Sequence, residues 1–294
     1  MISEINSEDD VAHIQEDMEN YYEWAENNSM NFNFFKFVVL CYGSNEEIKL
    51  NTIHFSDNME SIIESQDNHR DLGVSMSANG SFDDHINNVI NKIKRKIGWV
   101  CRTFRCRNLE FMRHIYITII RPHLDYCSQL WGPDEGPSLD RLEKVQAFFT
   151  RLIPEIRNLP YDVRIKILRI SSVQRRFDRY RIFYVRKILI GKVPDVGLKI
   201  RTKEYHRIGL TLENPANKKS SKLFLGSFLV RGPETFNALP KDLRKLGDSM
   251  DTFKIKLDNF LSLIPDCPRI CRGSLYQSNK LDIQIRNWKW NLGC

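Results

Sequence analysis

Two adjacent aspartate pairs, Asp9-Asp10 and Asp83-Asp84, are by type the residues best suited to metal-assisted chemistry, because neighbouring carboxylates can hold a divalent cation. Their settings point elsewhere. Asp9-Asp10 follows Ser7-Glu8, and Asp83-Asp84 follows Ser81-Phe82. A serine just before carboxylates marks a helix start, where negative charge meets the positive end of the helix dipole. Cys101/Cys106 and Cys267/Cys271 are the close pairs among seven cysteines. A structural zinc site favours pairs two residues apart, completed by a second pair or by histidines. Here the gaps are four and three, so reduced, partly buried thiols are expected and no metal ligands are assigned. His85, His114 and His123 have no partner four residues away and are expected to be hydrogen-bonded packing residues. No Ser/His/Asp order and no glycine-rich phosphate loop stands out.

What the sequence carries in quantity is charge. Residues 1–91 hold 18 Asp/Glu against three basic residues (Lys36, Lys49 and Arg70), a net of −15. Residues 92–294 hold 41 Lys/Arg against 19 Asp/Glu, a net of +22. A basic body of this kind suits a polyanion partner, most often nucleic acid, held by phosphate contacts that need no base readout. Two clusters are the candidates. Lys92, Lys94, Arg95, Lys96, Arg102, Arg105 and Arg107 fall within sixteen positions. Arg175, Arg176 and Arg179, followed by Arg181, Arg186 and Lys187, ride a helical pattern with Phe177, Tyr180 and Tyr184. Those aromatics, four and three apart, read as core more readily than as stacking platforms.

The elements that must position these residues follow from periodicity. Ser7 and Asp10 resemble a capping box opening a helix with Val11, Ile14, Met18, Tyr21 and Ala25 on one face. Phe32–Tyr42 predicts a buried strand, and Ile48/Leu50 and Leu72/Val74/Met76 two more. Ser81 begins a helix with Phe82, Ile86, Val89, Ile90, Ile93 and Ile97 inward and its cations on the flanks and back. A second helix is expected over Leu109–Ile120, stopping before Pro122, with others over Leu139–Ile153, Asp162–Ile170, Val173–Ile190 and Thr252–Leu263. Residues 201–226 read as a linker. The longest apolar run is too short to span a bilayer. The acidic start, Glu4 and then Glu8-Asp9-Asp10, is unlike a signal or transit peptide, so a cytoplasmic or nuclear protein is expected, with no membrane partner.

Certain stretches resemble a known family. Arg121-Pro122-His123-Leu124-Asp125-Tyr126-Cys127-Ser128-Gln129-Leu130-Trp131 is similar to a segment following the polymerase core of reverse transcriptases from non-LTR retrotransposons. Arg70-Asp71-Leu72-Gly73-Val74, Gly98-Trp99-x-x-Arg102-Thr103-Phe104, Leu142-Glu143-Lys144-Val145-Gln146 and Ser227-Phe228-x-x-Arg231-Gly232-Pro233 resemble that family in the same order. Phe236 departs from it, standing where the family usually has tryptophan.

The resemblance implies an RNA-directed DNA polymerase fragment. The expected fold is α+β and mostly α: a small β-sheet plus helix remnant of a polymerase palm, a helical thumb-like body and an irregular basic tail. The corresponding ranges are 1–80, 81–200, a 201–226 linker and 227–294. The resemblance puts the catalytic hairpin, with aspartates that bind magnesium, before Met1, so no catalytic residue is expected to be retained and no cofactor is expected in this fragment. Lys36 matches the family's palm lysine, a general acid for departing pyrophosphate. Arg70, Asp71, Leu72, Gly73 and Val74 resemble the hairpin that supports a primer end. The expected function is non-specific binding of RNA, DNA or their hybrid without polymerisation. The alternatives are a transposon-derived protein-interaction module and a decayed reading frame that does not fold stably.

Overall fold

The computed structural model describes Ile5, Ile63 and residues 7–33, 36–42, 65–201, 210–271 and 279–291. The fold is α+β and mostly helical, with one small antiparallel sheet. The chain divides into two compact units, residues 1–85 and 86–294.

In the first unit, α1 (Glu8–Asn27) starts at a complete capping box. Ser7 Oγ accepts from the Asp10 N–H, and the Asp10 carboxylate accepts from the Ser7 N–H at 2.9 Å. Val11, Ile14, Met18 and Tyr22 pack with Phe37 and Val39 around Ile63. The inward tyrosine is therefore Tyr22, while Tyr21 is exposed, a shift of one residue in helical phase. Among the described residues of Phe32–Tyr42, the expected strand is represented by an isolated parallel bridge, Val39 to Ser65. Ile48 and Leu50 lie outside the described residues. The hairpin pairs β1 (Asn68–Asp71) with β2 (Val74–Ser77). Its turn residues Leu72 and Gly73 have φ of 45° and 88°, the double positive φ that a tight two-residue hairpin turn demands. Leu72 thus belongs to the turn rather than to a strand. His85 Nδ1 accepts from the Ser75 N–H, and burial, then the charge of Arg70, holds its pKa below the usual imidazole value.

In the second unit, α2 (Asp83–Thr103) buries Ile86, Val89, Ile90, Ile93, Ile97 and Val100 as one stripe, matching its sequence period. α3 (Leu109–Ile115) is capped by Asn108, which accepts from the Phe111 N–H. The helix does not stop before Pro122. A π-helical turn, Tyr116–Ile120, leads straight into α4 (Arg121–Asp125), with the Arg121 N–H reaching back to the Tyr116 carbonyl. The wider turn accommodates a proline ring that lacks an N–H and would clash with a regular α turn. α5 (Ser128–Trp131), α6 (Pro137–Arg151) and α7 (Tyr161–Ile167) precede α8 (Val173–Leu189).

α8 is the hub. It packs against α4, α5, α6 and the later α10 (Phe228–Ala238). Residues 227–263 are accordingly not an irregular tail. α9 (Lys222–Gly226), α10 and α11 (Met250–Leu263) are regular helices, followed by α12 (Leu281–Asn291). Ile182 and Val185 of α8 share one core with Phe236, Phe253, Leu257, Leu281 and Ile285. Part of the expected linker joins it: Leu210 and Leu212 are buried, and Asn237 both donates to and accepts from the Leu212 backbone, at 2.8 and 2.9 Å. These contacts connect residues far apart in sequence, so local periodicity could not foretell them.

Trp131 seals the junction of α5 and α8. Its indole N–H donates to the Tyr126 carbonyl at 2.7 Å, and its ring meets Phe177 edge-on at 5.5 Å. Gly132 follows with ordinary backbone angles but no room. A Cβ there would collide with the Ser128 carbonyl oxygen and sit 3.0 Å from the Phe177 ring. Gly132→Ala is expected to destabilise the protein by roughly 1–3 kcal/mol, as overpacked sites do. The midpoint of urea denaturation checks this, and an unchanged midpoint would mean that α5 shifts freely off α8.

Candidate nucleic-acid interface

The two basic clusters have opposite fates. On α2, the buried stripe turns the remaining positions outward. Lys92, Lys94, Arg95, Lys96 and Arg102 are exposed, as is Arg105 beyond the helix end. None of these six forms an ion pair among the described residues. Lys92, Arg95, Lys96 and Arg102, at spacings of three, four and ten from Lys92, share one helical face, and Lys94 lies on the opposite flank. From Lys92 to Arg102 that face runs about 15 Å along the axis, the axial length of roughly four or five nucleotides. Arg107 departs from the expectation: it is half-buried and donates to the Cys101 carbonyl at 3.0 Å, tying down the end of α2.

Neighbouring elements hold this face in place. Arg141 of α6 donates to the Asn87 side chain. His123 of α4 stands beside Lys92 and Lys96, and burial, then those two ammonium groups, lowers its pKa. A neutral imidazole next to two cations marks a region of positive potential.

On α8 the arginines expected to bind nucleic acid, Arg175, Arg176 and Arg179, are engaged by other parts of the fold, as are Arg181 and Arg186, whereas Lys187 is exposed. Arg175 is buried and donates to the Pro265 carbonyl at 2.8 Å. Arg176 grips both Asp125 oxygens at 2.9 and 2.7 Å, and Tyr180 donates to the same carboxylate. Arg179 is bidentate on Asp258 at 2.5 and 2.7 Å. Arg181 donates to the Gly132 carbonyl and pairs with Asp178 and Asp134. Arg186 donates to the Lys245 and Asp248 carbonyls beneath the Phe253 ring. A planar guanidinium with five donors suits such buried bidentate work. Phe177 is core, as its spacing foretold.

The acid–base candidates are likewise placed. Asp83 and Asp84 occupy the first turn of α2, where the Ser81 hydroxyl accepts from the Asp83 N–H at 3.1 Å. Asp9 and Asp10 stand in the first turn of α1. Lys36 is an exposed residue in a short turn, and Arg70–Val74 forms the hairpin already described. His114 is exposed rather than packed. Among the described residues no three His, Cys, Asp or Glu side chains converge to hold a metal. Cys267 and Cys271 are free; burial, then the charge of Asp162, raises the Cys267 thiol, and burial, outweighing a hydrogen bond with the Asp162 backbone, raises Cys271 to about 12. No described helix is long and apolar enough to cross a membrane.

One buried carboxyl escaped the sequence reading. Glu143 of α6 accepts from the Tyr161 hydroxyl at 2.7 Å and from the Gln174 N–H at 3.1 Å. Burial outweighs these bonds and lifts its pKa to about 8. The folded protein then holds a proton that the unfolded chain releases above its ordinary value of 4.5. Stability should therefore fall as pH rises from that value to about 8, by at most about 1.4 kcal/mol per pH unit. Glu143→Gln, which mimics the protonated form, should flatten that slope in pH-dependent denaturation. A slope unchanged by the substitution would mean that Glu143 stays ionised.

Three comparisons with known proteins bear on this chain. No protein-family model, no curated protein and no solved structure matches it.

Proposed function

We propose that this chain binds nucleic acid without sequence preference through the outward face of α2, as a reverse-transcriptase-like protein whose described residues do not polymerise. One observation carries the reading. Of two comparable sets of cations, the arginines on α8 are engaged by carboxylates and carbonyls, whereas Lys92, Lys94, Arg95, Lys96, Arg102 and Arg105 face solvent without ion partners among the described residues. Solvated, uncommitted cations release counterions when phosphates replace water, and that release drives non-specific binding. The order of motifs that resembles non-LTR retrotransposon reverse transcriptases supports a thumb-like role for the same helix.

Fluorescence anisotropy with a labelled RNA–DNA hybrid at low salt tests the binding. Saturable binding with similar affinity for unrelated sequences is expected, and no binding would remove the reading. With magnesium, primer–template and nucleotides, no extension is expected. Extension that disappears on Asp83→Asn and Asp84→Asn would overturn the assignment of that pair to a helix start.

A second reading, a protein-interaction module, draws on the exposed Leu159, Val163 and Ile167, which recur every four residues along and just before α7. Failure to bind any nucleic acid at low salt would favour it.

A further inference from the structure

We infer that Trp99 is a base-stacking platform, so that the basic face of α2 takes an unpaired strand in preference to a closed duplex; this rests on the nucleic-acid reading above. Trp99 lies seven residues after Lys92 and three before Arg102, which places it in the middle of the face formed by Lys92, Arg95, Lys96 and Arg102. It is 42% exposed, whereas Trp131 of the same unit is 2% exposed. Trp131 donates its indole N–H to a carbonyl; the Trp99 N–H makes no hydrogen bond among the described residues. The ring is nevertheless braced. Phe104 meets it at 87° and 5.6 Å, and Phe104 meets Phe111 of α3 at 5.3 Å. No ring stacks parallel on Trp99 among the described residues, and no guanidinium covers it. Arg102 lies instead toward Gly98, where an added Cβ would be 3.4 Å from its guanidinium.

A large aromatic plane left open at the centre of a cationic face meets both needs of single-strand recognition. The cations follow the backbone, and the ring accepts a base of any identity on its π-face. Bases in a closed duplex are stacked on one another and have no face to offer. Phosphate contacts alone would serve duplex and single strand alike, so the ring should appear only as a difference between them.

The test uses the full chain, with Trp99→Ala and Trp99→Phe, on one labelled single-stranded DNA and on its duplex with the complementary strand. Trp99→Ala should weaken single-strand binding roughly tenfold, leave duplex binding unchanged, and leave the salt dependence of both unchanged. Trp99→Phe, which keeps a ring and the contact with Phe104, should recover most of the loss. An oligonucleotide lacking bases should bind wild type and Trp99→Ala equally. Equal weakening of duplex and single strand by Trp99→Ala, or no weakening of either, would overturn the inference while leaving the cationic face intact. Absence of binding to both nucleic acids by the wild type would overturn the underlying reading, and this inference with it.

Discussion

Replacing Asp134 with asparagine should lower the stability of the protein by about 3 kcal/mol, because it removes the shared partner of three cations held out of water. Asp134 lies between α5 and α6 and gathers charges from three places in the chain. Arg231 of α10 stands 2.9 Å from its carboxylate, Lys280 3.0 Å and Arg181 of α8 3.4 Å. Arg181 and Arg231 are almost wholly enclosed, with side chains 1% and 8% exposed. Burial alone would raise the Asp134 carboxyl, but the three cations outweigh it and hold its pKa below the ordinary value. Removing one member of a buried group costs more than the group contributes net, since the remaining charges stay desolvated. The loss stays near the lower end of the usual range because Arg181 keeps Asp178, Arg231 keeps Glu234 and Lys280 keeps Glu135. Denaturant midpoints measure it. Combining Asp134→Asn with Arg231→Met should recover more than about 1 kcal/mol relative to additivity. A loss below that value, with additive behaviour, would mean that water solvates the cluster.

The parts of this fold that were legible in the sequence are those set by local rules. The Ser7/Asp10 capping box and the Ser81 start of α2 are contacts within one helical turn. The inward stripe from Ile86 to Ile97 is a period that any observer of the sequence can follow. Pro122 misled, because a proline read as a helix stop can be absorbed by one π turn. Tyr21 and Tyr22 are adjacent, and a one-residue difference in phase exchanges core for solvent.

The candidate site divides in the same way. A count of basic residues treats α2 and α8 alike, but the acids that neutralise Arg176 and Arg179 are Asp125 and Asp258, which come from other helices. Only the fold brings them together. Trp99 was not singled out from the sequence: it stands three and seven residues from cations of one face, but only its exposure in the structure sets it apart from a core tryptophan such as Trp131.

This contrast makes the second large effect specific. Neutralising Lys92, Arg95 and Lys96 together with glutamine should weaken nucleic-acid binding about a hundredfold near 0.1 M salt while hardly changing stability. These side chains are exposed and without ion partners among the described residues, so folding does not rely on them. Changing Arg176 and Arg179 to glutamine should do the reverse, costing stability through the loss of their carboxylate pairs and leaving the binding face untouched.

The most direct measurement is a salt titration of binding to single-stranded DNA by the full chain and by the Lys92, Arg95, Lys96 triple variant. If about six phosphates are neutralised, log K should fall against log salt with a slope near −4, and the variant should show a slope near −2. Parallel lines for the two proteins, or a flat line for the wild type, would contradict the assignment of nucleic-acid binding to the outward face of α2.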